Sequence, residues 1–141
     1  METVTHAAAE TQALGRELAQ RLKGGEIIGL IGDLGSGKTT FIQGLAQGLG
    51  IDKRIISPTF VFQRSYRLPG KRGGLDHLDL YRIGGWDDAR GLGLEELWSK
   101  KKGIVVMEWA EKIEEKLPPK TIKIFFEYLG QNKRKIKTDY F

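Results

Sequence analysis

At 141 residues, with 40% hydrophobic and 29% charged residues, the chain has the length and composition of one ordinary globular domain, which excludes an extended disordered chain and points to a single core. It has no cysteine, so disulfides and thiol chemistry are excluded and a reducing compartment fits, and with only His6 and His77 a histidine-rich metal site is excluded too. The net charge of +5 suits an acidic partner such as RNA, and equally a surface of lysines that keeps the protein in solution.

No run approaches the roughly 18 apolar residues of a membrane span. The start, Met1-Glu2-Thr3-Val4-Thr5-His6, lacks the basic segment and apolar stretch of a secretion signal, so the expectation is a cytoplasmic protein without membrane contact. Residues Ala7 to Leu22 place Leu14, Leu18 and Leu22 four apart, the spacing of one helical face, and Lys23-Gly24-Gly25 stops the pattern. Glu26 to Ile31 is a short apolar run bounded by glycines, as in a strand buried on both faces. After a glycine loop, Lys38 to Leu49 sets Phe41, Ile42, Leu45 and Leu49 at helical spacing, with Gly50 as the stop.

Ser57-Pro58-Thr59 predicts an extended turn, because the residue before proline is pushed out of the helical region. Phe60 to Leu68 and Leu75 to Arg82 alternate like strands around the turn residues Pro69 to Gly74, which predicts a hairpin. Leu94 to Trp98 predicts a short helix, and Ile104 to Met107 a second buried strand ended by Glu108. A helix is expected from Trp109 to Leu117, stopped by Pro118-Pro119. Thr121 to Leu129 and Arg134 to Phe141 read as two closing strands around Gly130-Gln131-Asn132. The expected fold is α/β: three layers, with a mixed, partly parallel central sheet between helices, like that of P-loop nucleoside triphosphatases, over residues 1–141 as one domain.

The segment Gly32-Asp33-Leu34-Gly35-Ser36-Gly37-Lys38-Thr39 fits the phosphate-loop pattern of two glycines followed by Lys-Thr, between an expected strand and an expected helix. Glycines let backbone N–H groups turn inward around phosphate oxygens at the positive end of the helix. Lys38 would reach the β and γ phosphates and the Thr39 hydroxyl would ligate Mg²⁺. Guanine-specific relatives of this loop carry Asn-Lys-x-Asp; Asn132-Lys133-Arg134-Lys135 lacks the aspartate, which favours ATP or ADP.

Such a site needs an acid at the end of an apolar strand to hold Mg²⁺, and Glu108 follows four apolar residues. Its plainer reading is a carboxylate at a helix N-terminus. In Leu75 to Arg82, Leu78 and Leu80 share one face while His77, Asp79 and Tyr81 share the other. Asp79 could orient the attacking water, contact the metal through water, or form an ion pair with Arg82; Asp76 is a second candidate acid. His77 reads as a proton carrier or a hydrogen-bonded structural histidine. Thr59 either reaches the γ-phosphate from a switch-like loop or starts the next strand.

Four segments in this order, Gly32 to Thr40, Ser57-Pro58-Thr59-Phe60, His77-Leu78-Asp79-Leu80-Tyr81-Arg82 and Glu108-Trp109, resemble the bacterial TsaE family, formerly YjeE. The likeness runs from about Glu10-Thr11 to Glu111. It implies an ATPase, weak alone, that works with TsaD and TsaB in forming N6-threonylcarbamoyladenosine at position 37 of tRNAs reading codons that start with A. Hydrolysis would reset the complex, and contact with tRNA would be indirect. The resemblance assigns Asp33, Leu34, Gly35, Ser36, Gly37, Lys38, Thr39 and Thr40 to the nucleotide, Thr39 and Glu108 to the metal, and Lys38, Asp79 and Glu108 to catalysis. It makes Ser57, Pro58, Thr59 and Asp79 switch-like, sets Trp109 near the nucleotide, and places Thr11 and Arg134 beside the base. Ser36 and Ala110 depart from the family's usual Ala and Pro, which touches local loop geometry only.

Two rival readings remain open on sequence. A small-molecule phosphotransferase would clamp its phosphoryl group with arginines such as Arg64, Arg67 and Arg72. An RNA-binding module would use Lys133-Arg134-Lys135-Ile136-Lys137, a run that equally suits a lysine-guarded edge strand.

Overall fold

The computed structural model describes residues 1–56, 62–70 and 72–141. Strand β1 (Glu2–Thr5) precedes helix α1 (Ala8–Ala19), strand β2 (Ile27–Ile31) and helix α2 (Lys38–Gly48). The hairpin strands β3 (Gln63–Arg67) and β4 (Gly74–Asp79) follow, then short helices α3 (Trp86–Ala89) and α4 (Leu94–Trp98). Strand β5 (Ile104–Glu108) leads to a 3-10 helix (Ala110–Lys116), and β6 (Ile122–Gly130) and β7 (Lys133–Thr138) close the chain. The switch-like Ser57, Pro58 and Thr59 lie outside the described residues.

The strands form one sheet in the order β1-β7-β6-β2-β5-β4-β3. Its centre is parallel, β2 pairing with both β5 and β6 and β4 with β5, while the β1–β7, β6–β7 and β3–β4 pairs are antiparallel. Central β2 and β5 are apolar nearly throughout because helices cover both faces. One face packs with Leu18, Phe41, Ile42 and Leu45 of α1 and α2. The other packs with Ala89, Leu94, Trp98 and Ile113 of α3, α4 and the 3-10 helix. The mixed three-layer expectation is therefore met. No helix among the described residues is long and apolar enough to cross a membrane.

Helices α1 and α2 touch backbone to backbone. A Cβ on Gly44 would lie 2.0 Å from the Gln12 carbonyl oxygen, and one on Gly15 would lie 2.3 Å from that of Phe41. This contact lays α1 over the start of α2, which brings Thr11 to the phosphate loop.

Three local expectations are corrected, and two short elements join them. Helix α1 ends at Ala19 rather than Leu22, closed by the Gln20 N–H donating to the Glu17 carbonyl and the Arg21 N–H to that of Leu18. The expected helix from Trp109 is a 3-10 segment starting at Ala110 and broken at Ile113 (φ −134°), and Trp109 itself is left-handed at φ 60°. Strand β1 and helix α3 carry too few residues for periodicity to announce them. The lysine-bearing β7 is not an edge: β1 covers it, with Lys135 Nζ 3.9 Å from Glu2.

Candidate nucleotide-binding site

The chain leaves β2 at Ile31 and enters α2 at Lys38, so Gly32 to Gly37 cross the end of the parallel sheet where its strands' carboxyl ends converge. Gly37, at φ 105°, makes the turn into α2 in a conformation that a Cβ would strain. The Phe41 N–H is the donor to its carbonyl, while the N-terminal amides of α2 face a cavity of about 300 Å³. Gly35, Ser36, Gly37, Lys38, Thr39 and Thr40 line that cavity on one side, and Thr11, Glu108 and Arg134 line it on the others.

Thr11 is buried and shares a 2.8 Å hydrogen bond with Thr5, so the short strand β1 fixes the helix that carries it. The Arg134 guanidinium lies 4.6 Å over the Tyr128 ring and donates to the carbonyls of Gly130 and Lys133 at 3.0 and 2.9 Å. These contacts keep its stem along the cavity wall, 3.5 Å from where a Cβ on Gly37 would be. Asp33 and Leu34 do not line the wall; Leu34 is 79% exposed at the loop tip, and the Asp33 carbonyl accepts from Ser36 N–H at 3.1 Å.

Lys38 is buried and donates to the carbonyls of Gly32 and, at 3.0 Å, Asp33. Its ammonium lies 4.0 Å from the centre of the Trp109 ring, which in turn rests on Tyr81 at 5.1 Å. Burial pushes the amine below its ordinary value of 10.5, against the opposing pull of Glu111, Glu108, Asp79 and Asp33. Left-handed backbone at a tryptophan costs on the order of 1 kcal/mol or more. Here it swings the ring onto the lysine, and the ring contacts offset the strain.

At the end of β5, Glu108 is buried, and its Oε1 accepts the Thr39 hydroxyl at 2.9 Å. Its Oε2 is 2.7 Å from His77 Nε2. Asp79 pairs in register with Glu108 on the adjacent strand, and its Oδ1 accepts Tyr81 N–H at 2.9 Å. Asp76 faces away: its Oδ1 accepts from Ser65 at 2.6 Å and its Oδ2 lies 3.4 Å from Lys100, so it leaves the list of candidate metal acids. Among the described residues no three His, Cys, Asp or Glu side chains could cage a metal. A hydroxyl and a carboxylate in contact are nonetheless the hard oxygen donors that suit Mg²⁺, an ion that keeps waters and takes its remaining ligands from phosphates.

Four neighbours carry no sequence signal as site residues. Ala7, Ala8 and Asn132 line the cavity, Asn132 through a hairpin turn at φ 65° that Gly130-Gln131-Asn132 already signalled as a turn. Glu111, two residues into the 3-10 segment, accepts the Gly32 N–H at 3.2 Å; no sequence pattern marks it. Two of the three hairpin arginines lie away from the loop: Arg67 pairs opposite Gly74, the first residue of β4, at the far end of the sheet, and Arg72 lines a separate cleft there with Lys23, Lys101 and Lys102, while Arg64 pairs opposite His77.

A family model described as "Threonylcarbamoyl adenosine biosynthesis protein TsaE" matches residues 5–136. The chain is 40% identical over 130 residues to the "tRNA threonylcarbamoyladenosine biosynthesis protein TsaE" of Bacillus subtilis (strain 168), covering 90% of this chain and 77% of that one. It is 35% identical over 136 residues to the protein of the same name from Treponema pallidum (strain Nichols), covering 96% and 98%. A solved structure titled "Crystal structure of Bacillus subtilus YdiB" superposes with a TM-score of 0.80 at 36% identity, over 98% of this chain and 83% of that one. By sequence along nearly its whole length and by fold, the chain belongs to the TsaE family of threonylcarbamoyl adenosine biosynthesis proteins.

Proposed function

We propose that the chain is a Mg²⁺-dependent ATPase that acts in the cytoplasm with TsaD and TsaB in forming N6-threonylcarbamoyladenosine at position 37 of tRNAs reading codons that start with A. The observation that carries this reading is one contact at the loop: the Thr39 hydroxyl on the Glu108 carboxylate, beside the buried Lys38 amine. The relatives' names place them in the biosynthesis of this tRNA modification.

In this reading the backbone amides of the loop and the start of α2 cradle the phosphates, and Lys38 exchanges its bonds to Gly32 and Asp33 carbonyls for the β and γ oxygens. Thr39 and Glu108 would hold Mg²⁺, which would supply charge neutralisation at the phosphates. Asp79, beside Glu108, orients the water that adds to the γ-phosphorus as the bond to the β–γ bridging oxygen breaks, ADP and phosphate leaving. Thr11 and Arg134 flank the base. An active centre resting on few polar groups suits a weak activity that rises when partners close over it. The modification itself is made in the partner complex, through which tRNA is reached.

Calorimetric titration with ATP and with GTP tests the binding half. Saturable Mg²⁺-dependent binding of ATP, weaker for GTP and lost in Lys38→Ala, is expected. An unaltered isotherm in Lys38→Ala would sink the reading. Glu108→Gln is expected to remove most of the gain that Mg²⁺ gives, and an undiminished gain would pass the metal role to Asp79.

A further inference from the structure

We propose that His77 is the positioning residue for Glu108: its Nε2–H donates to Glu108 Oε2 and thereby holds Oε1 against the Thr39 hydroxyl. This inference rests on the Mg²⁺ reading of Thr39 and Glu108 and adds to it the group that aims the carboxylate.

His77 is fully buried, in β4, opposite Val106 of β5. Side chains of neighbouring parallel strands meet diagonally as well as directly, so its ring reaches Glu108 two residues further along, at 2.7 Å. The two carboxylate oxygens therefore have separate partners, His77 on Oε2 and Thr39 at 2.9 Å on Oε1. The other ring nitrogen, Nδ1, is buried with no hydrogen-bond partner among the described residues. A proton there would be a buried donor without an acceptor, so the ring carries its proton on Nε2, where the carboxylate accepts it.

Removing the ring's N–H leaves Oε2 buried without a donor. The carboxylate then rotates to recover one, and Oε1 leaves Thr39. Outer partners that orient a metal-binding group are worth about 10- to 100-fold in metal affinity. Among the described residues no hydrogen bond joins His77 to Lys38 or to the loop's backbone amides, so nucleotide binding without Mg²⁺ stays as it is. A histidine that only filled space would weaken both alike. The same strand carries Asp79 and leads to Tyr81 on Trp109, so the clamp also fixes how β4 sits against the proposed metal carboxylate.

The test compares ADP binding by the full chain, with Mg²⁺ and with a chelator, in wild type, His77→Leu, His77→Gln and Val106→Ala. His77→Leu is expected to lose about tenfold of the Mg²⁺-dependent gain while binding in chelator stays within about twofold. His77→Gln, whose amide N–H reaches the same oxygen, recovers most of the gain. Val106→Ala, which removes buried apolar volume beside His77 but no hydrogen-bonding group, lowers the melting temperature and keeps the gain, which separates lost aim from lost stability. A full Mg²⁺ gain in His77→Leu, or equal weakening with and without Mg²⁺, overturns the inference alone. A wild type that gains nothing from Mg²⁺ overturns the metal reading and the inference with it.

Discussion

Replacing Gly44 by Ala probes the packing that brings the site together. The added Cβ would meet the Gln12 carbonyl oxygen at 2.0 Å and the Gln12 Cα at 2.7 Å, all backbone, so no side chain can step aside. Reaching an ordinary contact of about 3.5 Å requires the helices to part by about 1.5 Å. Overpacking of that kind costs about 3 kcal/mol at the upper end of its range. The helix propensity of alanine over glycine offsets about 1 kcal/mol. The net loss is about 2 kcal/mol, a fall of about 6–8 °C in melting temperature for a domain of this size. Because α1 carries Thr11 to the cavity, nucleotide affinity should fall as well. Thermal unfolding by circular dichroism and a nucleotide titration measure the two effects. Gly15→Ala strikes the same crossing at 2.3 Å from the Phe41 carbonyl, so the double variant should lose less than the sum of the two. An unchanged or higher melting temperature in Gly44→Ala would refute the close contact.

Three further outcomes follow from the site. Burial lowers the Lys38 amine, so just below pH 10.5 the unfolded chain holds a proton that the folded chain has released, and stability contributed by this group rises with pH there. Urea unfolding should show the wild type gaining on Lys38→Met in that window and running parallel to it near neutrality. Nucleotide phosphates favour the ammonium, so affinity should fall with rising pH over the same window, measured by calorimetry in wild type. Arg134→Ala removes a cation stacked on Tyr128 at the cavity wall. It should weaken nucleotide binding several-fold with a loss of only about 0.5–1 kcal/mol in stability, read from titration and melting together.

The parts of the molecule legible in the sequence are those where one local rule dominates. The apolar runs of β2 and β5 have one solution, burial on both faces, and the glycines and Lys-Thr between β2 and α2 have one backbone path. Glu108 ends its strand at the loop for the same reason. The turn at Trp109 was not legible, because its left-handed backbone is fixed by contacts with Lys38 and Tyr81 that come from distant segments. Nor was the register that sets His77 on Glu108 or turns Asp76 toward Ser65 and Lys100: alternation gives faces, and only pairing gives partners. Strand β1 is four residues, too short for a pattern, yet it converts β7 from an edge into an interior strand and anchors Thr11.

The most direct test of the account is phosphate release from ATP by the purified chain, alone and with TsaD and TsaB, beside Lys38→Ala. The account predicts slow release alone, a marked rise with the partners, and loss of that rise in the variant. Release that active partners leave unchanged, or that survives in Lys38→Ala, would contradict it.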